Sequence, residues 1–217
     1  MTADIARAYL PSRWHYHYAR HKLAMDPLYR GVCAALAGVR GPVLDFGCGI
    51  GLLAHALRAR GLQLDYVGID SDGGKIDIAR RSVERAGITN ATFLVCDLAR
   101  DIPRREGDVV LLDVLQYLPP QRHLPLLELL AGCLAPGARL VIRTGFHEPG
   151  WRARLTHVAD ALGHALRWMN TGPKRYPRRT ELLAGLQNLG LECRLEPLHA
   201  GTPFNNWLIV AQKVAIT

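Results

Sequence analysis

The chain has 217 residues, 49% of them apolar, and a formal charge of +8 with histidine counted neutral. That composition supports a buried core and excludes a disordered chain, and no run approaches the roughly 18 apolar residues of a membrane helix. The positive charge admits nucleic acid, an acidic carrier protein or an anionic surface as partner without choosing among them.

The opening residues, MTADIARAYLPSRW, are predicted helical and carry no apolar signal region. Cys33, Cys48, Cys96, Cys133 and Cys193 show neither zinc spacing nor a disulfide framework. They are expected to be reduced, mostly buried thiols of a cytoplasmic protein. Residues 1–40 read as a helical cap. Pro42 opens a first strand that runs to about Phe46, followed by the helix IGLLAHALRARG, closed by Gly61. LDYVGID is the second strand. GGKIDIARRSVERAG is a helix with Ser71 or Asp72 as N-cap and Gly87 as its stop. ATFLVCD and GDVVLLDVL are the third and fourth strands. Pro119 and Pro120 introduce the helix QRHLPLLELLAGCL, and APGARLVIRTG is a turn and a fifth strand. Residues 146–179 form a helical and basic insert. TELLAGLQNLG is the last helix, and LECRLEPL and NWLIVAQK are an antiparallel terminal pair joined by HAGTPFNN. Strands alternating with helices predict an α/β fold, a doubly wound, seven-stranded and mostly parallel sheet, in one domain spanning 1–217.

The stretch VLDFGCGIG carries glycines at alternate positions, Gly47, Gly49 and Gly51. A glycine loop after a first strand lets backbone approach a nucleotide-like ligand, and Asp70 at the end of the second strand suits ribose hydroxyls. A dinucleotide fingerprint needs glycine at position 52, which is Leu52. Asp45, just before the loop, would repel a pyrophosphate and attract a ligand bearing an ammonium and a sulfonium. The pattern therefore predicts a cationic nucleoside rather than NAD.

VLDFGCGIG, YVGID, FLVCDLA, DVVLLDVLQYLPP and LAPGARLVIRTG together resemble, in order and spacing, the motifs of Rossmann-like S-adenosylmethionine-dependent methyltransferases. The resemblance covers about residues 28–213 and implies S-adenosylmethionine as cofactor. It implies that Gly47, Cys48 and Gly49 pass under the methionine part and that Asp45 lies near its ammonium, directly or through water. It further implies that Asp70, followed by Ser71, binds the ribose, that Asp97 and Leu98 flank the adenine, and that Asp113 and Val114 lie beneath the methyl group. Cys48 reads as a small filler rather than a reactive thiol.

In an open parallel sheet the acceptor also binds beyond the carboxyl ends of the strands. That edge offers Gln116, Tyr117, Arg143, His147, Trp151, Tyr176, Asn205 and Asn206, with Tyr16, Tyr18, Arg20, His21 and Lys22 above as a lid. Tyr16 and Tyr18 serve equally as the apolar face of a cap, and Asn205 and Asn206 equally as turn residues. A phenolic acceptor needs a base: His147 is preferred, His21 is the alternative, and Arg143 or Lys22 would steady the phenolate. No metal is expected, because Asp113 has no neighbouring Asp or Asn. YHYARHKLAMDPLY, IRTGFHEPGWRARLTHV and TPFNNWL are similar to small methyltransferases of aryl-polyene pigment pathways, which implies a phenolic or polyketide-like acceptor, free or on an acidic acyl carrier protein. An RNA methyltransferase is the enzymatic alternative, supported by the charge and PKRYPRR but opposed by the lack of an N-P-P-Y-type motif. A cofactor-binding module without turnover is the non-enzymatic one.

Overall fold

The computed structural model describes residues 2–98, 105–147, 176–198 and 205–213. Three helices open the chain: α1 (Thr2–Arg7), α2 (Arg13–Met25) and α3 (Leu28–Ala35). Ser12 caps α2 by accepting from the His15 N–H, which answers one of the helix's unpaired donors.

The alternation that follows gives β1 (Val43–Phe46), α4 (Leu52–Ala59), β2 (Tyr66–Asp70), α5 (Gly73–Arg85), β3 (Ala91–Val95), β4 (Asp108–Leu112), α6 (His123–Gly132) and β5 (Arg139–Gly145). Then come α7 (Arg179–Asn188), β6 (Leu191–Pro197) and β7 (Asn206–Lys213). Of the two N-cap candidates for α5, the cap is Asp72, whose side chain accepts from the Lys75 N–H at 3.2 Å. Strand four is shorter than the apolar run suggested. Asp113 takes φ 58°, a left-handed conformation that turns the chain out of the sheet, and Leu115–Tyr117 form a 3-10 turn. Pro119 and Pro120 lead into a second such turn, and α6 begins only at His123.

The sheet order is β3-β2-β1-β4-β5-β7-β6. β1 to β5 pair in parallel, and β7 is antiparallel to both β5 and β6. Val43 and Val110 pack with α3, α4 and α5 on one face; Leu44, Phe46, Leu111 and Ile142 pack with α6 and α7 on the other. Burial on both faces explains why these strands read as continuous apolar runs rather than alternating ones. β1 lies between β2 and β4, so the strand order reverses there, and a crevice opens at its carboxyl end. Because β7 runs backwards, its first residue reaches the same edge: Asn206 pairs with Gly145, the last residue of β5. Most of the insert predicted at 146–179, including Trp151, and most of HAGTPFNN lie outside the described residues.

Candidate active site

The loop between β1 and α4 carries φ values of +83°, +56° and +78° at Gly47, Gly49 and Gly51, which side chains with a Cβ rarely adopt. Space adds a second requirement. A Cβ on Gly47 would fall 2.4 Å from Val114 Cγ2, and one on Gly51 would fall 2.9 Å from Phe93. Gly49 differs, because a Cβ there meets nothing within 4 Å. Its free side faces open space among the described residues.

The loop is tied to β2 from below. Gly47 and Cys48 donate their N–H groups to the Ile69 carbonyl at 2.7 and 3.0 Å. Gly49 donates to Asp70 Oδ2, and Asp72 donates to Asp70 Oδ1, each at 2.9 Å. A carboxylate offers about four acceptor directions, so the Asp70 side chain is fixed by two amides and keeps acceptor capacity for hydroxyls. Ser71 is exposed beside it.

Asp45 is buried, with 2% exposure. Tyr66 donates its hydroxyl to Asp45 Oδ2, while Oδ1 has no hydrogen-bond partner among the described residues. Burial pushes the Asp45 carboxyl up to about 7, the Tyr66 hydrogen bond opposing the rise and the charge of Asp70 adding to it. Sequence reasoning found Asp45 but missed Tyr66. The signal was strand parity, since residues 66, 68 and 70 share one face of β2 and Asp45 pairs in register with Gly68. Burial, and then the charges of Asp45 and Asp70, hold the Cys48 thiol well above its usual range, which suits the expected small filler better than a reactive thiol.

Four charged side chains meet where α2 crosses the ends of β4 and β5. Lys22 Nζ lies 2.6 Å from Asp26 Oδ2 and 3.9 Å from Asp113 Oδ2. Arg143 contacts Asp26 at 3.3 Å and also pairs with Asp113. Burial works against the charge on Asp26, but Arg143 and Lys22 outweigh it and hold its carboxyl below the usual range. Arg143 and Lys22, expected as free cations over the acceptor, are thus both engaged by carboxylates. Asp26 was missed, although its i+4 spacing from Lys22 was the available signal.

The remaining candidates are distributed along this edge. Asp97 is exposed and Leu98 half-buried after β3. Val114 sits against Gly47. Gln116 is 3% exposed and its Oε1 has no hydrogen-bond partner among the described residues, while Tyr117 is half-buried. His147 is exposed and its backbone N–H donates to the Pro177 carbonyl at 3.0 Å. Tyr176 is buried against Gly145. Asn205 Oδ1 accepts from Trp207 Nε1 at 3.1 Å, and Asn206 is buried. On α2, Tyr16 and Tyr18 are half-buried against the core that includes α3 and α4, whereas Arg20 and His21 are exposed. Among the described residues, no cluster of three or more His, Cys, Asp or Glu side chains could hold a metal ion, and no helix is long and apolar enough to cross a membrane.

These features fit S-adenosylmethionine. An open side at Gly49, an anchored acceptor at Asp70 and a buried, half-answered carboxyl at Asp45 suit a cationic nucleoside, and among the described residues no side-chain cation is seen bonded to Asp45 or Asp70.

Comparison with known proteins agrees. Residues 43–137 match the family model described as a methyltransferase domain. A ribosomal protein L11 methyltransferase of Xylella fastidiosa is 38% identical over 102 residues, 47% of this chain and 31% of that protein. The corresponding Pseudomonas paraeruginosa protein is 37% identical over 141 residues, 61% of this chain and 45% of its own. The chain thus spans less than half the length of these two curated relatives. Among solved structures, an O-methyltransferase family protein from Burkholderia thailandensis superposes with TM-score 0.72 at 20% identity, over 100% of this chain and 64% of that one. Magnesium protoporphyrin IX methyltransferase from Synechocystis PCC 6803, with bound S-adenosylhomocysteine, gives 0.67 at 19% identity, over 97% and 93% of the two chains. The fold is that of the Rossmann-like methyltransferases.

Proposed function

We propose that this chain transfers a methyl group from S-adenosylmethionine to a small-molecule acceptor bound along the carboxyl edge of the sheet. The observation that carries the reading is the Asp70 side chain, clamped by the Gly49 and Asp72 amides beside the open face of Gly49. When bound, the cofactor supplies an electrophilic methyl group on a sulfonium.

The chain's own contribution is position and exclusion of water. Asp70 takes the ribose hydroxyls, with Asp97 and Leu98 beside the adenine. Gly47 and Val114 floor the region of the methyl group. The acceptor lies between Gln116, His147, Asn205 and Asn206, under α2. His147, exposed after β5, is the base for a phenolic acceptor, with His21 on α2 as the alternative. Arg143 holds the lid rather than the substrate, through Asp26 and Asp113. A phenolic or aryl-polyene-type acceptor, free or carried on an acidic acyl carrier protein in the cytoplasm, suits the net charge of +8.

A protein acceptor is the second reading, favoured by the similarity to ribosomal protein L11 methyltransferases. A transfer assay with methyl-labelled cofactor separates the two: extract is fractionated into small molecules, protein and RNA after incubation. Label in the small-molecule fraction is expected. Label confined to one protein band transfers the proposal to the second reading, and label in a defined RNA overturns both.

A further inference from the structure

Asp45 is buried to 2% exposure, with one carboxyl oxygen answered by Tyr66 and the other by no hydrogen-bond donor among the described residues. Burying a charge in that state is costly unless a positive group approaches. The titratable groups that act around it are Tyr66 and Asp70 on β2, Cys48 in the loop and, beyond Tyr66, Tyr9 from the segment after α1. Lys75 on α5 acts on Cys48 and lies 4.0 Å from Asp72. None of the groups acting directly on Asp45 among the described residues is a cation. A positive group brought to Asp45 would therefore relieve a cost that no described cation relieves.

We infer that Asp45 and Tyr66 form a proton-exchanging pair for the cationic end of the cofactor. Asp45 carries a proton while no cation is near and releases it to solvent when S-adenosylmethionine enters. Tyr66 is the positioning residue whose hydroxyl steadies the carboxylate so formed. The Asp45 O–H bond breaks, its proton passes to buffer, the Tyr66 O–H stays intact and no electron changes hands. Burial pushes the Asp45 carboxyl up to about 7, which puts the exchange near neutrality. Contact with the cofactor is not required, because Coulomb attraction in a medium of low dielectric constant falls only with the first power of distance. The inference rests on the proposed cofactor.

The test is calorimetric binding of S-adenosylmethionine between pH 5.5 and 7, in buffers of differing ionisation enthalpy. An α-amino group stays mostly protonated in that window, so a released proton comes from the protein. About half a proton per site is expected at pH 7, and affinity should rise about eightfold from pH 5.5 to 6.5. 5′-Methylthioadenosine, with neither ammonium nor sulfonium, should release none and bind with flat affinity. Tyr66→Phe should move the step to higher pH, because the lost hydrogen bond favoured the ionised form. Asp45→Asn should abolish both the step and the release. Tight binding with flat affinity and no released proton overturns the inference alone, as does release that persists in Asp45→Asn. Failure of S-adenosylmethionine to bind at any pH overturns the cofactor reading and the inference with it. The wild-type measurement decides even where a variant does not fold.

Discussion

Replacing Arg143 with methionine removes the centre of the ion cluster that fastens α2 to the sheet while keeping an apolar stem of similar length. The Arg143 side chain is 6% exposed, and its partners Asp26 and Asp113 are 12% and 29% exposed. Removing one partner of a buried pair costs about 3–5 kcal/mol when the other is left uncompensated. Here Lys22 remains 2.6 Å from Asp26, and Asp113 can draw on water, so the loss should be nearer 2–3 kcal/mol. For a chain of this length that is a fall in Tm of about 4–12 °C, read by calorimetry at pH 7. The pH dependence gives the sharper check. The carboxyl of Asp26 is held below its ordinary 3.8, so its contribution is complete above that value and is lost as pH falls through the folded-state value. Arg143 and Lys22 are held above their ordinary values and stay charged throughout. The gap between wild type and Arg143→Met should therefore be constant from pH 5 to 8 and narrow below about pH 4. Amide exchange should quicken in α2 and stay slow in β1 and β4. A Tm change under 2 °C, or a gap that widens in acid, would refute the reasoning.

Asp70→Ala should weaken S-adenosylhomocysteine binding ten- to several-hundred-fold, since hydrogen bonds to a charged group are worth about 1.5–3 kcal/mol each; an unchanged dissociation constant in a titration would remove Asp70 from the site. Gly47→Ala and Gly49→Ala should separate. Both strain a left-handed backbone; the first also drives a Cβ into Val114 and should lower Tm the more, whereas the second meets no described atom within 4 Å and should lower Tm less while still weakening binding, as melting curves with and without ligand would show. His147→Ala should keep cofactor affinity within about threefold yet cut turnover of the true acceptor at least tenfold, a loss of about 1.4 kcal/mol in the transition state; an unchanged rate would turn the search for a base to His21.

The centre of the sheet was legible because β1, β2, β4 and β5 are buried almost throughout, and the last strand was read as the eight residues Asn206–Lys213 that it occupies. Strand four was overread. Val114 and Leu115 continue the apolar run, and nothing in that run announces that Asp113 would turn at φ 58°. The glycine loop was legible for a local reason, a backbone conformation closed to other residues. The ion cluster was not, because it joins Lys22 and Asp26 to Asp113 and Arg143 across a large sequence separation. Periodicity carries no such pairing. Lys22 and Arg143 were recognised as cations at the right edge, but whether a cation there faces substrate or a carboxylate depends on which helix lies over it.

Three acids of the carboxyl edge are held by three different means, which bears on how a chain of net charge +8 would accept the cationic cofactor proposed above. Asp113, after β4, is neutralised by Arg143 and approached by Lys22. Asp70, after β2, is held by two backbone amides, which fix its direction without adding a full charge. Asp45, in β1, is held by a phenol, which adds none either. The acids without a cationic partner among the described residues therefore lie towards the glycine loop, away from the paired acid under α2. A ligand positive at one end would be drawn to that part of the edge, Asp45 losing its proton as the ligand arrives.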